Sequence, residues 1–315
     1  MRGTRFLIAG LLILVAAAAS TYYIFPQQTG NFMIRSLWRL AGLQEKAVQV
    51  GDHKIVYMDG GHGEPLILVH GFGGDKSNWI YLARYFTGDY HVVIPDLPGF
   101  GDRTRLWTAS YDYPEQVERL HSFLNKMDLK QVNLVGNSMG GEICGLYAVK
   151  YPKEVKTLTL IDAAGVNAPN ESKFLKLLAY GQNPLIAGSR EEYDSLLNFV
   201  FFNPPYMPQD IKQNMADQAI AHKPLNEKTF RVIRSHIDML EPQLNKIQAP
   251  VLIIWGYNDQ VLDSSSVFVY KKYLKSYVRI VRIKQAGHLP MAEKPKETAK
   301  HLRTFLDDFS PNSGS

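Results

Sequence analysis

Gly136-Asn137-Ser138-Met139-Gly140-Gly141 is the stretch of this 315-residue chain best suited to chemistry. A serine flanked by glycines, between an apolar run and a helical pattern, can be held on a sharp turn with its hydroxyl thrust outward. The turn opens a helix, whose positive N-terminal end favours a developing anion. Such a serine becomes a nucleophile when a histidine takes its proton and a carboxylate orients that histidine. Gly287-His288 supplies the histidine: of nine in the chain, it alone follows a late apolar run in a glycine loop. Trp255-Gly256-Tyr257-Asn258-Asp259 supplies the carboxylate, with Asp162 and Asp263 as the alternatives for the acid. A second glycine loop, His70-Gly71-Phe72-Gly73-Gly74, lets backbone approach a substrate closely. The N–H groups of Phe72 and Met139 are the expected oxyanion donors. His70 is read as bracing its loop by hydrogen bonds, and Asp96 as fixing a turn. The chemistry would be acyl transfer, which needs no cofactor. The sequence shows no H-E-x-x-H, no cysteine pair and no phosphate loop.

These groups can meet only if strand ends place them on one edge of a sheet. Short apolar runs predict strands at Lys54–Met58, Pro65–His70, His91–Pro95, Val132–Val135, Thr157–Ile161, Val251–Trp255 and Val278–Ile283. Helical patterns fall between them, at about Ser77–Phe86, Glu115–Met127, Met139–Tyr151, Ser264–Leu274 and Lys296–Phe309. This alternation implies a mostly parallel sheet with helices on both faces. Ser138, Asp259 and His288 then all follow strands, in the chain order Ser, Asp, His. From about Asp162 to Ala249 the rhythm breaks into helical patterns, including Phe174 to Leu178 and the aromatic-rich Tyr193 to Tyr206. That stretch is read as a helical cap, or lid. Its apolar side chains either line an acyl pocket or simply pack the cap on the core.

The N-terminus differs in kind. Arg2 and Arg5 precede an uncharged apolar run, Phe6 to Phe25, and the next charge is Arg35. A helix of about 20 residues, at ~1.5 Å per residue, crosses the ~30 Å hydrocarbon core. Residues 1–30 are therefore expected to form a transmembrane anchor. A signal peptide cleaved near Ala16 to Ser20 is the alternative. The leading basic residues predict a cytoplasmic N-terminus and an exported body, although Arg35, Arg39 and Lys46 run against that bias. Small residues Ala16 to Ser20 would also let two such helices pack into a homodimer. Phe32 to Leu43 recur at near-helical spacing, giving a helix over 31–45 that lies in the headgroups or packs on the following domain.

Composition sets outer bounds. The chain is 45% hydrophobic and 21% charged, with a net charge of +5, a globular balance. No clustered basic face with a recognition motif points to nucleic acid. The basic stretch Lys271 to Lys284 alternates with apolar residues, as on the wet side of an edge helix and strand. The single cysteine, Cys144, falls in an apolar helical pattern and reads as a small core residue.

The segments His70–Gly74, Ile94–Gly101, Gly136–Gly141, Ile253–Leu262 and Gly287–Pro295 resemble the α/β-hydrolase-fold lipases. Monoacylglycerol-lipase-like enzymes and cold-active bacterial lipases are the groups most alike, and Phe199 to Pro208 also looks like the latter. The apolar N-terminus is similar to that of inner-membrane phospholipases A of Gram-negative bacteria. The resemblance implies a hydrolase core over 46–162 and 250–310 and a cap over 163–249. It further implies hydrolysis of acylglycerols or glycerophospholipids through Ser138, Asp259 and His288. The implied location is the inner membrane with the catalytic domain in the periplasm, or outside after signal cleavage. Three rival readings remain: a carbon–carbon bond hydrolase of aromatic degradation, a short-chain esterase, and a tethered binding protein with a vestigial triad.

Overall fold

The structure, a computed structural model, describes residues 34–101, 105–236 and 239–310. The anchor or signal expected over 1–30 lies outside them. Among the described residues no helix is long and apolar enough to cross a membrane.

Eight strands form one sheet: β1 (Leu43–Val50), β2 (His53–Gly60), β3 (Glu64–Val69), β4 (Tyr90–Pro95), β5 (Val132–Asn137), β6 (Val155–Ile161), β7 (Val251–Gly256) and β8 (Val278–Ile283). Their spatial order is β1-β2-β4-β3-β5-β6-β7-β8. The β1–β2 and β2–β4 pairs are antiparallel, and the remaining five are parallel. The central strands are apolar on both faces because helices cover both. In β3, Ile67 and Val69 enter one core cluster and Leu66 and Leu68 the other, and none of the four is exposed. That split follows the two-residue period of a strand.

Helix α1 spans 34–40. A short 3₁₀ turn, Lys76–Trp79, leads into α2 (Ile80–Ala83), followed by α3 (Tyr113–Lys126) and α4 (Met139–Lys150). The first core cluster holds Val117, Leu120 and Phe123 of α3 and Ile143, Cys144 and Tyr147 of α4. Between β6 and β7 come α5 (Lys173–Ala179), α6 (Arg190–Val200) and α7 (Gln209–Ser235). After β7 the chain forms α8 (Ser266–Tyr273), and after β8 it forms α9 (Pro290–Glu293) and α10 (Pro295–Asp308). Leu82 of α2 and Leu302, Phe305 and Leu306 of α10 fill the second cluster, on the opposite face.

Three details depart from the sequence reading. The helix expected over 31–45 is shorter, since the chain turns after residue 40 into β1. Its Trp38 and Ala41 are buried with Leu43 in the second cluster, while Leu37 and Leu40 face outward. Strand β1 itself gave no alternating pattern, because it is an edge strand whose Gln44, Glu45 and Lys46 are all exposed. Finally, Leu240, Leu244, Ile247 and Ala249 belong to the first core cluster. The last part of the 163–249 stretch therefore crosses the sheet face back to β7 rather than extending the three helices above it.

Candidate active site

The Ser138 backbone has φ 55° and ψ −124°, between the last residue of β5 and the first of α4. A non-glycine residue held so costs about 1–3 kcal/mol and persists only where its surroundings enforce it. They do so here. Ser138 N donates to Ile161 O at 3.1 Å, and Ser138 O accepts from Gly141 N at 2.9 Å and Ala164 N at 3.0 Å. Close approach needs glycine beside the turn. A Cβ on Gly140 would come within 2.4 Å of His70 O, and one on Gly71 within 2.9 Å of the Ser138 Cβ. The loop after β3 is thereby pressed against the serine. Met139, as the first helical residue, has an N–H outside the intrahelical ladder.

That loop is braced as expected. His70 Nδ1 lies 2.8 Å from Gly71 O, and its Nε2 accepts from Leu97 N at 2.9 Å. The two contacts require the neutral ring with the proton on Nδ1, and burial lowers His70 to about 4. Asp96 accepts from Lys76 N at 2.8 Å and from Lys76 Nζ at 2.9 Å, tying the loop to the end of β4. Burial pushes Asp96 up to about 6, with the nearby Asp75 carboxylate adding to the effect.

His288 Nδ1 lies 2.8 Å from Asp259 Oδ2. The Asp259 side chain is fully covered, and its Oδ1 accepts from Val261 N at 2.7 Å and Leu262 N at 3.2 Å. Of the three candidate acids, Asp259 is thus the one that pairs with the histidine. Asp263 instead accepts from Ser265 N at 2.8 Å in a turn. Asp162 stands behind the pair. One of its oxygens, one of Asp259 and a ring nitrogen of His288 lie within 4.8 Å of one another. Two oxygens and a nitrogen at that spacing could hold a cation, but an ion there would compete with the Nδ1–Oδ2 hydrogen bond.

Two residues that sequence reasoning passed over organise the site. Asn137, buried beside Ser138, donates from Nδ2 to Ile161 O at 3.1 Å and to His288 O at 3.0 Å. The residue before the serine is therefore bonded to the backbone of the histidine. Glu293 accepts from Gly287 N at 2.7 Å, Phe202 N at 2.9 Å and Asn203 N at 2.8 Å. Burial raises Glu293 above the usual carboxylate range, opposed by those three N–H donors. Together with His288 N donating to Val200 O at 2.8 Å, Glu293 fastens the histidine loop to the chain leaving α6. Both residues lie inside the motifs already noted, but nothing in their type distinguished them from their neighbours.

The three helices between β6 and β7 supply an apolar roof. Phe174, Phe199, Val200 and Phe201 cluster with Val261, two residues past Asp259, and Leu289, next to His288, packs against them. The Phe72 ring centroid lies 5.5 Å from that of Phe230 on α7, which in turn lies 6.0 Å from that of Phe174.

This sheet order, with a strained serine turn after β5 and a histidine–carboxylate pair from later loops, defines a fold class. A family profile described as alpha/beta hydrolase fold matches residues 64–295, and the chain belongs to that family. It is 36% identical over 256 residues to Lipase 1 of Psychrobacter immobilis, covering 80% of each chain. It is 30% identical to human monoacylglycerol lipase ABHD6, covering 96% of this chain and 94% of that one. A solved structure of a membrane phospholipase A, a bacterial virulence factor, superposes with a TM-score of 0.89. That protein is 42% identical, with 97% of this chain and 99% of the other covered.

Proposed function

We propose that the protein hydrolyses acyl esters of lipids, acylglycerols or glycerophospholipids, through an acyl-enzyme on Ser138. The observation that carries the reading is Ser138 at positive φ on the β5–α4 turn, joined through Asn137 to the loop that holds the His288–Asp259 pair. Ser138 Oγ attacks the ester carbonyl as His288 Nε2 takes its proton. The Asp259 carboxylate, held by two N–H donors and His288 Nδ1, steadies the imidazolium. The N–H groups of Phe72 and Met139 stabilise the oxyanion, a contribution of about 2.7–4 kcal/mol for a well-placed donor. His288 returns the proton to the leaving alcohol, and water then releases the fatty acid by the reverse steps.

The α5–α7 segment acts as a cap whose phenylalanines, touching the residues beside Asp259 and His288, offer an acyl chain an apolar path. Lipase and phospholipase names among the relatives support the same class. Residues 1–30 serve as a membrane anchor with the catalytic domain on the periplasmic side, on the strength of their basic start and uncharged run. A homodimer through that helix is part of the same reading.

The test is a hydrolysis panel on the full chain and on Ser138→Ala. It comprises p-nitrophenyl esters of several lengths, monoacylglycerol, lysophospholipid and diacyl phospholipid, with released fatty acid quantified. Serine-dependent release from the glycerolipids is expected. A Ser138→Ala protein that hydrolyses at the wild-type rate, or a folded wild type that releases nothing, overturns the proposal. Fractionation of cells expressing the full chain tests the anchor: recovery in the soluble fraction would remove it.

A further inference from the structure

Asp162 directly follows β6, with φ 43°, and is completely buried. Its Oδ1 accepts from Gly256 N, at the end of β7, at 2.8 Å. Its Oδ2 is buried and meets no donor among the described residues. An ionised carboxylate would leave that buried oxygen without a donor from the protein. It would also set a second negative charge beside Asp259, whose carboxylate already serves His288. Both difficulties vanish if Asp162 carries a proton, because a protonated acid has an O–H to donate. The acceptor at hand is Asp259. Resting on the proposed roles of Ser138, His288 and Asp259, we infer that Asp162 is a neutral carboxylic acid whose Oδ2–H donates to the Asp259 carboxylate, making it a positioning residue for the acid–base relay.

The charged and titratable groups around Asp162 support this. Burial acts first, the Asp259 carboxylate second, and Glu293 adds a weaker negative field; all three raise Asp162 well above the usual carboxylate range, and the Gly256 N–H opposes them. His288 is the nearest group that gains positive charge in the reaction. The proton on Asp162 does two things. It completes the shell around Asp259, which then receives Val261 N, Leu262 N, the His288 ring and the Asp162 hydroxyl. It also draws part of the Asp259 charge away from the imidazole, which limits how strongly His288 holds its own proton. A carboxyl group that served only the fold would leave the pH profile of His288 unmoved when replaced.

The experiment is infrared spectroscopy of the full chain near neutral pH, with Asp162→Asn as reference, combined with pH profiles of p-nitrophenyl ester hydrolysis. Wild type should show the carbonyl stretch of a protonated, hydrogen-bonded carboxylic acid, and Asp162→Asn should lack it. Asn mimics the neutral acid, since its oxygen accepts from Gly256 N and its NH₂ donates to Asp259. Asp162→Leu should therefore lower kcat about tenfold or more, with KM little moved, while Asn restores at least about a third of the activity, as expected for a hydrogen bond to a charged group. The acid limb of the kcat/KM profile should move to higher pH in the Leu variant alone. Absence of the carbonyl band overturns the inference, as does an Asn variant no better than Leu. A Leu variant with wild-type rate and profile overturns the positioning role. If the Leu variant does not fold, the band and the Asn variant still decide. The band does not depend on turnover, so loss of the Ser138 mechanism would be seen separately, in a Ser138→Ala protein that still hydrolyses.

Discussion

Replacing Glu293 by Gln tests whether the histidine loop depends on the chain leaving α6. Glu293 accepts three backbone N–H groups, one from Gly287 and two from Phe202 and Asn203. Gln offers one acceptor oxygen. If that oxygen serves Phe202 and Asn203, the amide NH₂ faces the Gly287 N–H, donor against donor. An unsatisfied buried donor costs about 1–3 kcal/mol, and losing the charge weakens the two remaining bonds further. Glu293 is only partly covered, so water replaces some of what is lost, and about 1–2 kcal/mol of destabilisation is expected. For a chain of this size that lowers the melting temperature by roughly 2–4 °C per kcal/mol at most. The kinetic effect should be larger. Gly287 precedes His288, and misplacing a catalytic group by about 1 Å can cost about a hundredfold in rate. Thermal unfolding by circular dichroism and kcat on a p-nitrophenyl ester are the assays, with a drop in kcat of about ten- to a hundredfold expected. An unchanged melting temperature and kcat would refute the reasoning altogether. A lowered melting temperature with intact kcat would show a clamp that holds the fold but does not align the base.

Other substitutions probe neighbouring points. Ser138→Gly should abolish hydrolysis yet raise stability by about 1 kcal/mol, because glycine relieves a strained backbone while losing more chain entropy; a melting temperature below that of Ser138→Ala would contradict this. Asn137→Leu removes a donor from Ile161 O, which keeps Ser138 N, and from His288 O, which loses its partner, at about 1–3 kcal/mol for that carbonyl, read by denaturant unfolding. Phe230→Ala opens the roof above Phe72, so KM should rise for long acyl esters more than for short ones; an equal rise for both would argue against an acyl path there. His70 titrates at about 4 in the folded protein against an ordinary 6.5, so the unfolded chain binds the extra proton between those values. Its contribution to stability is therefore complete above pH 6.5 and lost as pH falls to about 4. The cost of His70→Asn, measured by urea unfolding, should accordingly be greater near neutral pH than near pH 4, by about 3 kcal/mol at most; equal costs at both would mean the ring is not held neutral.

The parallel core was legible because its strands are buried on both faces and read as unbroken apolar runs. Val251–Trp255 is expected almost to the residue on that ground, while β8 at the sheet edge, Val278–Ile283, interleaves arginines with apolar residues and is mostly half-buried. Strand β1 was not legible, because an exposed edge strand carries the charges of a loop. Residue types also anticipated the pairing of His288 with Asp259, and Ser138, Asp259 and His288 each follow a strand of the sheet. What remained hidden depends on three-dimensional contact alone. Glu293 looks like any helix-start glutamate until Phe202 and Asn203, some ninety positions away, turn their N–H groups to it. The sequence favours Asp259 over Asp162 and Asp263 as the acid, and in the structure the 2.8 Å contact to the ring is what sets Asp259 apart. The crossover back to β7 reads as cap because the whole stretch is too long for a crossover and shows no clear strand, although Leu240 and Leu244 are wholly buried in the first core cluster.

Helix α1 has a consequence for how the domain can be held. Trp38, Ala41 and Leu43 are set into the core within a few residues of one another, so the chain reaches β1 without slack. A pull or twist applied ahead of residue 34 would pass directly into the sheet edge instead of being absorbed by a loose linker. The helix is a stiff handle, and whatever grips it sets the heading of the whole catalytic domain.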